Sequence, residues 1–166
     1  MTSRGHSAIA RPVAGIAGPG SQREIVGAET MRALGAELAA GLTVGDVLLL
    51  HGDLGAGKTT LTQGIARALG VREPVTSPTF TLVSEHRLPK PLRDIERLYH
   101  LDLYRLNDPE ELEMIGYDDY IVPVDGVSII EWPERAGDWL PERAVIIEIE
   151  RSGEDRRLVR LRPIGG

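Results

Sequence analysis

Gly52-Asp53-Leu54-Gly55-Ala56-Gly57-Lys58-Thr59 places a lysine and a hydroxyl directly after two glycines that are separated by four residues. This is the spacing of a phosphate-gripping loop. Glycines at Gly52, Gly55 and Gly57 allow backbone amides to turn inward around phosphate oxygens. A helix starting at Lys58 would add its positive N-terminal end. Lys58 would reach the outer phosphates, and the Thr59 hydroxyl would ligate Mg²⁺. Only Lys58 and Lys90 are lysines, although Lys and Arg together number 19. A chain that otherwise uses arginine keeps a compact ammonium where the loop needs one.

Other polar groups could join this chemistry. Asp102 lies in an otherwise apolar stretch, where an unpaired carboxylate is costly. It reads either as a Walker B type acid, bonding to a magnesium water or orienting the attacking water, or as half of an ion pair, for which Arg105 is a candidate partner. Glu131 ends the apolar run that starts at Val127, at the strand edge where α/β sheets bind ligands. It reads as a hard oxygen ligand for Mg²⁺ or as a helix-start acid before Pro133. Trp132 packs near a nucleotide, in the core or against a partner. Thr79 is either a switch residue that senses the terminal phosphate or a hydrogen-bonded loop threonine. His51 reads as a strand-end residue. Arg87, Lys90, Arg93 and Arg97 alternate with acids and read as a solvated face, as do Arg156, Arg157, Arg160 and Arg162.

The elements that must position these groups follow from periodicity. Met31, Leu34, Leu38 and Leu42 form one stripe of a helix running from Glu29 to about Gly41. Val47 to Leu50 is a continuous apolar run, as in a strand buried on both faces. Leu61, Ile65, Ala68 and Leu69 line a second helix, which Gly70 stops. A loop at Thr76-Ser77-Pro78 leads to a strand near Phe80 to Glu85. The charged, proline-containing segment His86 to Arg97 reads as an exposed excursion. Leu98 to Tyr104 is a strand carrying Leu98, His100, Asp102 and Tyr104 on one face. Asp108-Pro109-Glu110-Glu111 starts a short helix closed by Gly116. Val127 to Glu131 is another strand, and Ala144 to Glu150 with Arg157 to Arg162 forms a hairpin turning near Gly153. Residues 1–23 are rich in Gly, Ala, Pro and Ser and read as a poorly ordered tail, leaving residues 24–166 as one domain. Strands alternating with helices give an α/β domain with a mixed sheet.

Composition narrows the function further. The 166 residues carry a net charge of −6, so no global positive field draws in nucleic acid. The absence of cysteine excludes disulfides, thiolate catalysis and cysteine zinc sites. The histidines lack zinc-site spacing. Apolar runs are too short to span a bilayer, and no secretory signal is legible at the N-terminus, so a cytoplasmic location is expected. Asn107 is the only asparagine and Asp108 follows it directly, so the guanine-reading N-K-x-D element is missing. ATP is the expected nucleotide.

Four ordered motifs resemble one family. Gly52 to Thr60, Ser77-Pro78-Thr79-Phe80-Thr81-Leu82-Val83, His100-Leu101-Asp102-Leu103-Tyr104-Arg105-Leu106 and Glu131-Trp132-Pro133 look like the bacterial TsaE (YjeE) ATPases. Asp108 to Glu113, ending in Gly116, also matches, and the likeness runs from about Gly27 to Glu150. The resemblance implies a P-loop NTPase three-layer sandwich with a mixed, mainly parallel central sheet and antiparallel C-terminal strands. It implies a role in forming threonylcarbamoyladenosine at position 37 of tRNAs that read ANN codons, together with TsaD and TsaB type proteins. By carry-over, Thr59 and Glu131 hold Mg²⁺, Lys58 and residues Leu54 to Gly57 cradle the phosphates, and Asp102 with Thr60 supports hydrolysis. Trp132 lies near the nucleotide, and Ala28, Glu29 and Thr30 correspond by position to the part near the adenine. The family pattern has no counterpart for the tail before Gly20, and the loop His86 to Arg97 is longer than usual.

No arginine finger is obvious near the phosphate loop. The expectation is therefore a slow Mg-dependent ATPase that its partners activate, with tRNA contacted indirectly or weakly. The alternative is a small-molecule kinase that uses the Arg87 to Arg97 excursion as a lid. A third reading is a nucleotide-gated assembly factor in which hydrolysis is incidental.

Overall fold

A computed structural model describes residues 21–76, 78 and 82–164. Seven strands form one sheet: β1 (Ser21–Val26), β2 (Val47–His51), β3 (Val83–Leu92), β4 (Ile95–Asp102), β5 (Gly126–Glu131), β6 (Ala144–Arg151) and β7 (Arg156–Ile164). Their spatial order is β1-β7-β6-β2-β5-β4-β3. The centre is parallel, with β2 between β5 and β6 and β4 beyond β5. The β1–β7, β6–β7 and β3–β4 pairs are antiparallel. The mixed sheet and its antiparallel C-terminal hairpin agree with the expected fold.

Alternation along the central strands divides the core in two. Leu48, Leu50, Ile129 and Ile147 face the helices α1 (Ala28–Ala40) and α2 (Lys58–Ala68). Leu49, Ile130 and Leu101 face the other side. There they meet Leu112 of α3 (Glu111–Met114), Tyr117 beside α4 (Asp118–Ile121), and Ala136 of a 3₁₀ segment (Pro133–Trp139). Helix, sheet and short helices form three layers.

Several elements differ from the sequence reading. Ser21 to Arg23, assigned to the tail, already belong to β1; Ser21 pairs with Leu161. Only Ile25 in this edge strand is a buried hydrophobic, so its period-two signal is weak. Residues 1–20 lie outside the described residues. The segment His86 to Arg97 is a β-hairpin rather than an excursion, with Leu88 and Ile95 in the core. Its prolines fall in β3 at the sheet edge, where the register shifts between Arg87 and Leu92 and the outward N–H has no ladder partner to lose. Arg93 and Asp94, both at positive φ, make its turn. Arg93 donates to the carbonyls of Leu42 and Ala39 at 2.8 and 2.6 Å, and Arg97 pairs with Glu85 and Asp125. These two arginines are structural, and the segment is tied into the sheet instead of forming a lid. The strand expected near Phe80 begins at Val83, and Phe80 lies outside the described residues. The Leu98 strand stops at Asp102, two residues early.

Helices α1 and α2 approach closely because of two glycines. A Cβ at Gly64 would lie 2.3 Å from the Arg32 carbonyl oxygen, and one at Gly35 would lie 2.7 Å from that of Leu61. Helix propensity alone favours alanine at Gly64 by roughly 0.5–1 kcal/mol. Backbone crowding reverses the sign, so Gly64→Ala is expected to destabilise by about 1–3 kcal/mol in urea unfolding. A neutral or stabilising result would contradict this packing account.

Candidate functional site at the loop after β2

Three parallel strands bring the site together. Leu50 and Asp102 both register against Glu131, so the ends of β2, β5 and β4 lie side by side. The chain leaves β2 at His51, turns through the glycine loop and enters α2 at Lys58. Gly57 has φ 114°, a left-handed conformation that a side chain would strain. Ala56 N–H donates to the Asp53 carbonyl at 3.0 Å, closing the loop on itself.

Arg157 of β7 braces this loop. Its guanidinium donates to the carbonyls of Ala56 and Gly55 at 2.9 and 3.2 Å. The solvated-face reading of Arg157 is therefore corrected, whereas Arg156, Arg160 and Arg162 make surface ion pairs with Glu24, Glu150 and Glu148. About a hundred residues separate Arg157 from the loop, and no local signal reveals such a partner.

Lys58 is buried and donates to the Gly52 carbonyl. Its ammonium also sits 3.5 Å from the ring centroid of Trp132, a cation–π contact. Burial holds Lys58 below the usual lysine range, while the carboxylates of Glu131, Glu134, Asp102 and Asp53 oppose that shift. Trp132 itself lies at φ 57° and ψ 49°. A non-glycine residue held there costs on the order of 1–3 kcal/mol. Its ring packs on Tyr104, with centroids 4.9 Å apart.

Glu131 is 2% exposed, and its Oε2 lies 2.6 Å from Nε2 of fully buried His100. A carboxylate can only accept, so Nε2–H donates. Among the described residues, Nδ1 of His100 has no hydrogen-bond partner. Asp102 is half-buried. Burial pushes its carboxyl above the usual range, the Tyr104 N–H bond at 3.0 Å opposes this, and the Glu131 charge adds to it. Asp102 and Arg105 form no ion pair, so that alternative for Asp102 is not observed.

These groups open onto a cavity of about 420 Å³, lined by Lys58, Thr59, Thr60, Asp102, Glu131 and Trp132 with Leu54, Gly55 and Gly57. Pro78, Leu82, Tyr104 and Arg105 complete its wall. A second cavity of about 290 Å³ lies across the loop, where Ala28 and Met31 meet Gly55, Ala56, Gly57 and Thr60. Of the three residues matched by position to the adenine side, only Ala28 lines it. Glu29 pairs with Arg32 at 2.8 Å, and Thr30 is exposed. Gly52, Asp53 and Ala56 border a third hollow with Ile149, Glu150 and Arg151. His51 ends β2, 3.5 Å from Glu134. Thr79 lies outside the described residues. His100, Tyr104, Arg105 and Arg157 are the polar neighbours that sequence reasoning did not assign to the site. His100 and Arg105 do stand within the motif around Asp102, and their two-residue and three-residue offsets from it were the available clue.

Strand, glycine loop and helix, faced by carboxylates from two neighbouring parallel strands, define a P-loop α/β domain. The family model described as "Threonylcarbamoyl adenosine biosynthesis protein TsaE" matches residues 25–159. The chain belongs to the TsaE family. It is 40% identical over 140 residues to the tRNA threonylcarbamoyladenosine biosynthesis protein TsaE of Bacillus subtilis, covering 84% of each chain. The Haemophilus influenzae protein of the same description is 43% identical over 112 residues, 68% of this chain and 67% of that one. The crystal structure of Bacillus subtilis YdiB superposes with a TM-score of 0.71 at 35% identity, over 87% of this chain and 85% of that chain.

The His100–Glu131 pair yields a direct test. Removing the donor that faces a buried carboxylate leaves that charge uncompensated, which typically costs about 3–5 kcal/mol. His100→Leu is expected to lose that much in urea denaturation, and His100→Gln, which keeps a donor for Glu131, less than half of it. Equal losses in both variants would show that the donor does not matter.

Proposed function

We propose that this chain is a Mg-dependent ATPase serving threonylcarbamoyladenosine formation at tRNA position 37, in the cytoplasm, with TsaD and TsaB type proteins. One observation carries the reading: Lys58, Thr59, Asp102 and Glu131, from three separate elements, line one cavity beside the glycine loop. Names of the similar proteins place those relatives in the same modification.

Lys58 is pre-positioned by its bond to Gly52 and exchanges that carbonyl for phosphate oxygens when nucleotide binds. Backbone amides from Asp53 to Thr59 supply the remaining grip. Thr59 and Glu131 offer one hydroxyl and one carboxylate to Mg²⁺. No group of three or more His, Cys, Asp or Glu among the described residues could hold a metal ion. A donor set this small suits Mg²⁺, which takes most of its octahedron from phosphate and water. Bound there, the ion would neutralise charge on the outer phosphates. Asp102 orients the attacking water, aided by Thr60, and Trp132 closes the cavity over Lys58. Ala28 borders the cavity across the loop, on the adenine side; Thr79 serves as the switch. No helix among the described residues is long and apolar enough to cross a membrane. With a net charge of −6, tRNA is held chiefly by the partners.

Calorimetry with Mg-ATP is expected to show binding to the wild-type chain and none to Lys58→Ala. Hydrolysis is expected to release free phosphate slowly alone and faster with TsaD and TsaB type proteins; equal turnover in both conditions would overturn partner activation. Asp102→Asn is expected to slow hydrolysis at least tenfold, roughly the lower range for a lost acid–base or positioning group. Because the folded pKa of Asp102 is raised, its ionised form opposes folding at neutral pH, so the same variant is expected to raise the urea midpoint. A lowered midpoint with undiminished turnover would remove Asp102 from the site.

A further inference from the structure

Arg105 enters the cavity because of how β4 ends. Leu103 and Leu106 are both buried in the core beneath the short helices, and the Leu106 N–H donates to the Leu103 carbonyl at 3.1 Å. The Tyr104 N–H is tied to Asp102 Oδ1 at 3.0 Å. Two anchored leucines around a two-residue turn direct Tyr104 and Arg105 away from the core and onto the cavity wall.

Arg105 and Lys58 are the cationic side chains among the described residues that line this cavity. They differ in what they touch. Lys58 bonds Gly52 and covers Trp132, whereas Arg105 makes no hydrogen bond, ion pair or ring contact among the described residues. A guanidinium beside two carboxylates ordinarily takes one of them in a forked pair. Here Glu131 is engaged by His100, and Asp102 accepts from the Tyr104 amide. Neighbouring Arg135, by contrast, stacks over the Tyr104 ring at 5.5 Å. A planar five-donor cation is thus left for an anion entering the cavity beside the loop.

We propose that Arg105 is an internal arginine finger, a catalytic residue that donates to the terminal phosphoryl oxygens as charge builds on them. This inference rests on the ATPase reading above and replaces the expectation that the guanidinium comes from a partner. The reaction itself is unchanged. Water oxygen bonds to the terminal phosphorus, the bond to the β-phosphate oxygen breaks, and its electron pair leaves with ADP. Both water protons end on the phosphate product, which leaves as dihydrogen phosphate, and Arg105 keeps all of its protons. In this arrangement partner proteins need not supply a guanidinium in order to activate.

The test compares wild type, Arg105→Ala and Arg105→Lys, each alone and with TsaD and TsaB type proteins. Arg105 is exposed, so all three are expected to share one urea midpoint. Arg105→Ala is expected to lower kcat on the order of 10³-fold, while the Kd for Mg-ATP changes less than about threefold. Arg105→Lys recovers only a small part, because a point charge lacks the fork. ADP with fluoroaluminate is expected to bind wild type more tightly than ADP alone, and this gain disappears in Arg105→Ala. An Arg105→Ala protein that hydrolyses ATP at the wild-type rate, or keeps the fluoroaluminate gain, overturns the inference and leaves the ATPase reading standing. A wild-type chain that binds no Mg-ATP overturns both.

Discussion

A carboxylate enclosed by three parallel strands must keep a proton donor or lose its charge, and Glu131 keeps one in His100 of the adjacent strand. The in-register pairing of β4 with β5 makes that contact possible, since Asp102 and Glu131 sit opposite each other and His100 lies two residues back on the same face. From this pair the rest of the cavity follows. Glu131 remains the strongest carboxylate influence on Lys58, and its charge raises Asp102. A slip of one residue between these strands would turn the acids to the opposite face and separate them from the loop.

Unfavourable terms gather in this small volume. Lys58 and Asp102 are both desolvated, and Trp132 is held in a left-handed conformation. Such costs persist only where the surroundings over-determine them. Here the surroundings are two hydrophobic cores, one on each face of the sheet, whose central strands are nearly all apolar.

The glycine loop is a junction between distant parts of the chain. Arg157 secures it from β7, while α1 contributes Ala28 and Met31 to the cavity on its far side. On the near side the turn after β4 packs Tyr104 on Trp132 and sets Arg105 on the wall of the cavity that Lys58 also lines. Gly55, Gly57 and Thr60 border both cavities. The antiparallel edges, β1–β7 and β3–β4, lie outside the cavity at the loop but supply these braces or extend the sheet that holds it.

Local chemistry was legible in the chain itself. The glycine spacing before Lys58 and Thr59, the apolar runs of β2 and β5, and the helical stripe of Met31, Leu34 and Leu38 each depend on neighbours within a few residues. Periodicity and turn chemistry act over that range. Long-range pairing was not legible. The β3–β4 hairpin was hidden because its prolines and charges sit on a sheet edge that tolerates both, and β1 because a single buried isoleucine makes no pattern. Whether Asp102 would take Arg105 or the Tyr104 amide, and which donor would meet Glu131, were decided only by strand register and by two buried leucines. The sequence by itself determined which groups could bind a phosphate; the tertiary structure alone decided which partners they keep, because hydrogen-bond competition is settled by distance in space rather than along the chain.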